Sequence, residues 1–270
     1  MPTNTQNPVT RFLEGAGHGA AGFVETFGYY GVLIGESLFW LIAGPVLKQP
    51  VRAGAVFVQM MEIGVHAIPI VALLGGAIGV MLAIQGIHTL SIFGAESKVV
   101  IGISLSMTRE FAPLITGILV AGRSGSALAA RLGTMKISQE IDALTVMGIN
   151  PVRHLVVPAF LALAVMVPAL TFFSDIVGLW AGGLYVGADL GISMAAYVDQ
   201  VIEILAVEDL LHGIWKSLIF AVLIAVIGVA NGVRVTGGSE GVGRVTTRAV
   251  VQSITAIVIT DMIFAFLATR

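Results

Sequence analysis

No cysteine occurs in the 270 residues. That excludes disulfides, thiolate metal sites and cysteine nucleophiles. Charge is almost as scarce: Asp, Glu, Lys and Arg make up 11% of the chain, against about a quarter in a soluble domain. The formal net charge of −2 supplies no field for gathering nucleic acid. No G-x-x-x-x-G-K-[ST] phosphate loop is present. The nearest run, GSEGVGRV from Gly238, has Arg in place of Lys and Val in place of Ser or Thr, with no strand before it. Histidines 18, 66, 88, 154 and 212 are scattered, so no metal cluster is expected. Any transport must then draw on an ion gradient or a separate ATPase. The start, MPTNTQNPVTRFLEGAGHG, lacks the basic and apolar regions of a secretory signal. Insertion is therefore expected to be directed by the first apolar helix.

What the chain has instead is apolar length. Hydrophobic residues make up 57% and mean hydropathy is +0.97. A membrane-crossing helix needs roughly 20 mostly apolar residues. The sequence predicts five, at residues 65–84, 99–122, 155–186, 215–233 and 249–268. The third is too long for one straight span and too short for two, which predicts a tilted or kinked helix running past the membrane surface. Residues 29–47 are apolar and aromatic but short, and Glu36 interrupts them. That suits an interfacial or re-entrant helix. Phe12, Leu13, Phe23, Val24 and Phe27 add a short amphipathic helix before it. The expected fold class is an all-α integral membrane protein: five transmembrane helices after an N-terminal interfacial amphipathic helix. Residues 1–62 form the cytoplasmic and interfacial part and 63–270 the five-span domain.

Charge orients the spans. Arg11, Lys48 and Arg52 precede span one. Arg123, Arg131, Lys136 and Arg153 follow span two, and Arg234, Arg244 and Arg248 follow span four. These are 10 of the 14 basic residues. The opposite loops hold Lys98 and the acids Asp189, Asp199, Glu203, Glu208 and Asp209. Positive charge stays on the cytoplasmic side, so the N-terminus is expected in the cytoplasm and the C-terminus outside.

Three features point to function. Ala121, Gly125, Ala129 and Gly133 form a small-residue ladder, and Gly75–Gly79 and Gly178–Gly182 are similar pairs. Such residues let helices approach closely in lipid; the ladder is either ordinary packing or an interface that also moves. Arg109 and Glu110 lie adjacent inside span two, with Pro113 a turn later. Ionisable groups in hydrocarbon face a partner or a cavity, so the pair is either a structural link to another helix or the polar floor of a substrate cavity. Gln85, at the end of span one, is a weaker candidate for the same cavity. Asp175 and Asp261 are intramembrane carboxylates of the kind a proton relay uses, and Lys216 is placed to snorkel from its span's outer end. Finally, the loop 122–151 ends in a short amphipathic helix. Ile137, Ile141, Leu144 and Met147 fall at helical spacing, with Glu140 and Asp142 on other faces. It either lies on the membrane or docks into a partner's groove.

Several runs together resemble the MlaE/YrbE permease family: GVMLAIQG from Gly79, SMTREFAPLITGILVAGR from Ser106, AGRSGSALAARLGTMKISQEIDALTVMGINPVRHLVVPA from Ala121, and VTTRAVVQS from Val245. The similarity extends over about residues 50–270. The resemblance implies the permease of an ABC transporter, not an enzyme. It implies a homodimer bound to a cytoplasmic ABC ATPase that carries the ATP and Mg, with no cofactor in this chain. It also implies a periplasmic MCE-domain protein and phospholipid, or a related hydrophobic lipid, as cargo between the inner and outer membranes. The family's cytoplasmic coupling helix falls on residues 137–148, so Ile137, Glu140, Ile141, Asp142, Leu144 and Met147 would meet the ATPase. Its charged cavity residues fall on Arg109 and Glu110, near Gln85. The rival reading is an ion- or proton-coupled carrier using Asp175, Asp261 and Glu110.

Overall fold

The computed structural model describes Glu25, residues 28–44 and residues 51–268. The amphipathic helix expected through Phe12–Phe27 lies outside the described residues. Within them the chain is helical and has no strand. Helix α1 covers residues 28–44. Helices α2 (Ala53–Ile63) and α3 (Ile68–Ser91) join through a tighter turn at Val65–Ala67 and run as one rod of 39 residues. The chain therefore passes helically through residues 62–63, where the sequence placed a division. Helices α4 (Val99–Ser106), α5 (Ala112–Val120) and α6 (Ser126–Ile137) make a second rod, and α7 (Glu140–Val146) follows it. Then come α8 (Val157–Leu190), α9 (Met194–Ile204), α10 (Val207–Val233) and α11 (Gly238–Ala268).

Five of these rods are long and apolar enough to cross a membrane: Ala53–Ser91, Glu96–Ile137, Val152–Leu190, Val207–Val233 and Gly238–Leu267. At 1.5 Å per residue the shortest, of 27 residues, spans about 40 Å. All exceed the roughly 30 Å hydrocarbon core, so each projects into the headgroup layer or beyond. The third expected span is indeed one long helix; α8 carries Pro168 within it.

One expectation is corrected. The first half of the 122–151 segment is not a loop. It continues span two through α6, because its small-residue ladder lies against α10. A Cβ on Gly125 would sit 3.0 Å from Ile224, and one on Gly232 would sit 2.8 Å from the Ala129 carbonyl oxygen. The two glycine pairs meet each other in the same way. A Cβ on Gly79 would fall 1.9 Å from the Gly178 carbonyl oxygen, and one on Gly182 would fall 3.0 Å from that of Gly79. Helices α3 and α8 thus cross backbone to backbone, the close approach that small residues permit in lipid.

Span two is wound irregularly at two places, Met107–Phe111 and Ala121–Gly125, where the backbone bonds i to i−5. A third such turn, Val152–Val156, precedes α8. Two of the three have a proline just beyond: Pro113 at the start of α5 and Pro158 at the start of α8. Proline has no N–H for the carbonyl four residues back. The preceding turn widens and the helix restarts, with the proline in its first turn, where no donor is required.

Candidate functional site

The widened turn at Met107–Phe111 is where the charge lies. Pro113 cannot donate to the carbonyl of Arg109. Lys216 of α10 does so instead, Nζ donating to that oxygen at 2.9 Å. The same Nζ donates to Glu110 Oε2 at 2.7 Å and lies 3.0 Å from Asp261 Oδ1 of α11. Two of its three donors are thus hydrogen-bonded, and Asp261 is held as an ion pair, its Oδ1 outside hydrogen-bond geometry. Lys216 is wholly buried. Its expected snorkelling is therefore corrected: the side chain turns inward because an orphan carbonyl and two carboxylates wait there.

Arg109 points elsewhere. Its Nε donates to Asp209 Oδ1 at 2.6 Å, and an Nη closes a second link to the same oxygen. Asp209 Oδ2 accepts the Ala206 N–H at 2.9 Å, fixing the carboxylate at the first turn of α10. The Arg109 side chain keeps 46% of its surface open, against 4% for Asp209. One flank of the guanidinium is held and the other faces open space.

Spacing on α10 builds this site. Asp209, Gly213 and Lys216 lie four and three residues apart, on one face of the helix. Between the two charged residues, a Cβ on Gly213 would meet the Thr108 carbonyl oxygen at 2.5 Å. Only a glycine lets α10 lie that close to the widened turn. The formal charges of Arg109, Lys216, Asp209, Glu110 and Asp261 sum to −1, one carboxylate in excess of the cations.

The other expected residues are placed as follows. Gln85 is exposed on α3. Its neighbour Gly86 faces Val99, ten residues before Arg109, so Gln85 lies about 15 Å from Arg109 along the helix axis. Asp175 is buried in α8, 4% exposed, with Oδ1 unpartnered; it stands outside the cluster. In the surface helix, α6 breaks at Gln139, whose φ is +60°. Lys136 Nζ donates to Asp142 at 2.9 and 3.2 Å, and Ser138 Oγ donates to Glu140 at 2.8 Å. Ile141 is buried and Leu144 packs against the main hydrophobic core. Ile137, Glu140, Asp142 and Met147 are exposed, as is Val146 beside them, at 89%.

Sequence reasoning missed Asp209 and Lys216 as members of the site. The available signal was their spacing around Gly213, opposite a Pro-interrupted turn. No metal-binding group of three or more His, Asp or Glu side chains occurs among the described residues.

Comparison with known proteins decides the class. The family model for "Permease MlaE" matches residues 56–267. This chain belongs to the MlaE permease family. It is 38% identical over 210 residues to a probable ABC transporter permease protein of Synechocystis, covering 77% of this chain and 80% of that one. It is 34% identical over 226 residues to another such protein of Rickettsia typhi, covering 83% and 87%. It is 32% identical over 234 residues to the intermembrane phospholipid transport system permease protein MlaE of Haemophilus influenzae, covering 85% and 89%. The chain is thus the membrane permease subunit of an ABC system, and ATP hydrolysis lies in a separate subunit.

Proposed function

We propose that this permease moves phospholipid, or a related hydrophobic lipid, between the inner and outer membranes. Arg109 carries the reading. It is an open guanidinium inside a membrane-spanning rod, clamped from one side by Asp209. Guanidinium matches phosphate oxygens in geometry and stays charged. Its free flank would take the lipid phosphate, while Glu110, held by Lys216, would limit which headgroups fit. The Haemophilus relative is named as part of an intermembrane phospholipid transport system, which supports the same cargo.

The working unit is a homodimer in the inner membrane with the N-terminus cytoplasmic. A cytoplasmic ABC ATPase, carrying ATP and Mg, docks at α7, and a periplasmic MCE-domain protein caps the other end. Helix α11 supports the dimer: most of its apolar length is left uncovered by the rest of the chain. The carrier reading is not favoured, because Asp261 and Glu110 are both engaged by Lys216 and the family is one of ABC permeases.

The test is lipid carried through purification. Arg109→Ala alone would strand the buried Asp209, so the informative variant is Arg109→Gln with Asp209→Asn. It is expected to fold and to carry less phospholipid by mass spectrometry. Unchanged phospholipid in that folded variant removes Arg109 from the site.

A further inference from the structure

Glu36 is the one acid in the apolar stretch 29–47, and it has a partner far along the chain. Asn150 Nδ2 donates to Glu36 Oε1 at 3.0 Å in a partly buried contact, 114 residues away in sequence. Asn150 stands between α7 and span three, where the chain is short and stiff. Gly148, at φ +74°, donates to the Thr145 carbonyl, and Ile149 donates to that of Leu144. This double closure ends α7 at a fixed angle. Asn150 Oδ1 then accepts the Arg153 N–H at 3.0 Å and caps the first turn of span three, with Pro151 next in line. One amide thus caps span three with its oxygen and holds α1 with its nitrogen.

Helix α1 is gripped at two further points. The Arg153 guanidinium lies 5.2 Å from the Trp40 ring centre. Trp40 is four residues beyond Glu36, on the same face of α1. Toward the other end, Arg234 at the close of α10 lies 4.6 Å from the Tyr29 ring centre. Both contacts have cation–π geometry. Tyr29 and Trp40 are eleven residues apart, about 16 Å along the helix. Between them Leu33 and Ser37 are buried, and Leu33 shares the main core with Ile141, Leu155 and Val156. The opposite face turns Val32, Phe39 and Ile42 outward, apolar surface of the kind an interfacial helix rests in lipid. Helix α1 therefore bridges the connection after α7 and the end of α10, the rod that carries Asp209 and Lys216 toward its far end.

We propose that α1 is a strap that holds the coupling helix α7 in register, with Glu36 and Asn150 as its positioning residues. The proposal rests on the reading that the ABC ATPase docks at α7. A push on α7 meets no slack at Gly148–Asn150. Asn150 passes it to span three and, through Glu36, to α1, which carries it to Arg234 and α10. Without the Glu36–Asn150 bond α7 tilts on its stalk, and the docked ATPase is poorly coupled to the spans.

The test uses the full chain with its ATPase in phosphatidylethanolamine–phosphatidylglycerol nanodiscs. Glu36→Leu and Asn150→Ala are each expected to lower the permease-stimulated kcat of ATP hydrolysis about three- to tenfold, the worth of one hydrogen bond. KM for ATP and the amount of co-purified ATPase should stay unchanged. Glu36→Gln keeps an acceptor oxygen for Asn150 and should restore kcat. The Glu36→Leu, Asn150→Ala double variant should lose no more than Asn150→Ala alone, since both remove one shared contact. An unchanged kcat in Glu36→Leu, a Glu36→Gln variant as impaired as Glu36→Leu, or additive losses overturns the proposal.

A second measurement needs no ATPase. The chain has no cysteine, so spin labels on Ile42→Cys and Val146→Cys, both exposed positions, report the distance from α1 to α7 by pulsed electron resonance. One narrow distribution is expected, broadened by Glu36→Leu and narrow again in Glu36→Gln; Asn150→Ala replaces Glu36→Leu should that variant not fold. A distribution that stays narrow without the bond sinks the strap. Labels that respond as expected, with ATPase still bound to a Val146→Asp, Met147→Asp variant, would sink the α7 docking reading and leave the strap standing. ATPase lost from that variant, with kcat and distances indifferent to Glu36, would sink the strap alone.

Discussion

Lys216 shows how one residue decides a local structure. Its ammonium replaces the N–H that Pro113 lacks and neutralises carboxylates from two other rods. Removing one member of a buried ionic group costs about 3–5 kcal/mol, because it leaves the others uncompensated. Lys216→Met should therefore lower the unfolding midpoint in detergent sharply. Adding Glu110→Gln and Asp261→Asn to it should recover much of that loss, and a triple variant no more stable than the single one would refute the keystone role. Tyr197 of α9 is the contrasting case. It is fully buried against Gly183, and its hydroxyl has no hydrogen-bond partner. Burial pushes its pKa up to about 12. A group whose folded pKa is raised stabilises fully below its unfolded value, near pH 10, and loses that contribution as pH rises through about 12. Alkaline loosening of α9 is expected in that window. Tyr197→Phe should remove it while leaving neutral-pH stability unchanged or slightly higher, as read by thermal melts across pH.

At the scale of elements, backbone proximity governs. Gly79 leaves no room for a methyl group, and the obstacle is the main chain of Gly178, which cannot rotate away. Gly79→Ala should force α3 and α8 apart and sharply reduce the yield of monodisperse protein. Gly102 has open space around its Cβ position, so Gly102→Ala should be tolerated; size-exclusion profiles compare the two. The sequence marked these small residues but could not tell which helix each would meet. The same limit applied to α7, whose apolar face was legible while its destination was not. Ile141 and Leu144 pack inward, leaving Val146 and Met147 exposed for a partner. Val146→Asp with Met147→Asp is expected to abolish co-purification of the ATPase without unfolding the permease. Asp142→Ala should act less strongly, through the lost Lys136 tether.

For the whole molecule, the basic residues gather at one end and the acids of α9 and the start of α10 lie toward the other. The absence of cysteine allows a direct check of the inferred orientation. With Val146→Cys, an impermeant maleimide should label only from the cytoplasmic side; with Ser193→Cys it should label only from the periplasmic side. Labelling of both from one side would contradict the topology. Hydropathy and charge determined the membrane class, five spans and the end that bears positive charge, because these follow from local composition and need no contact between distant residues. Only the tertiary structure decided that 122–137 is helix rather than loop, that Lys216 turns inward, and that Arg109 answers to Asp209 a hundred residues away. Each of those depends on which helices lie side by side, and close helix approach in lipid is set by the fit of small residues across an interface, which a single sequence does not pair.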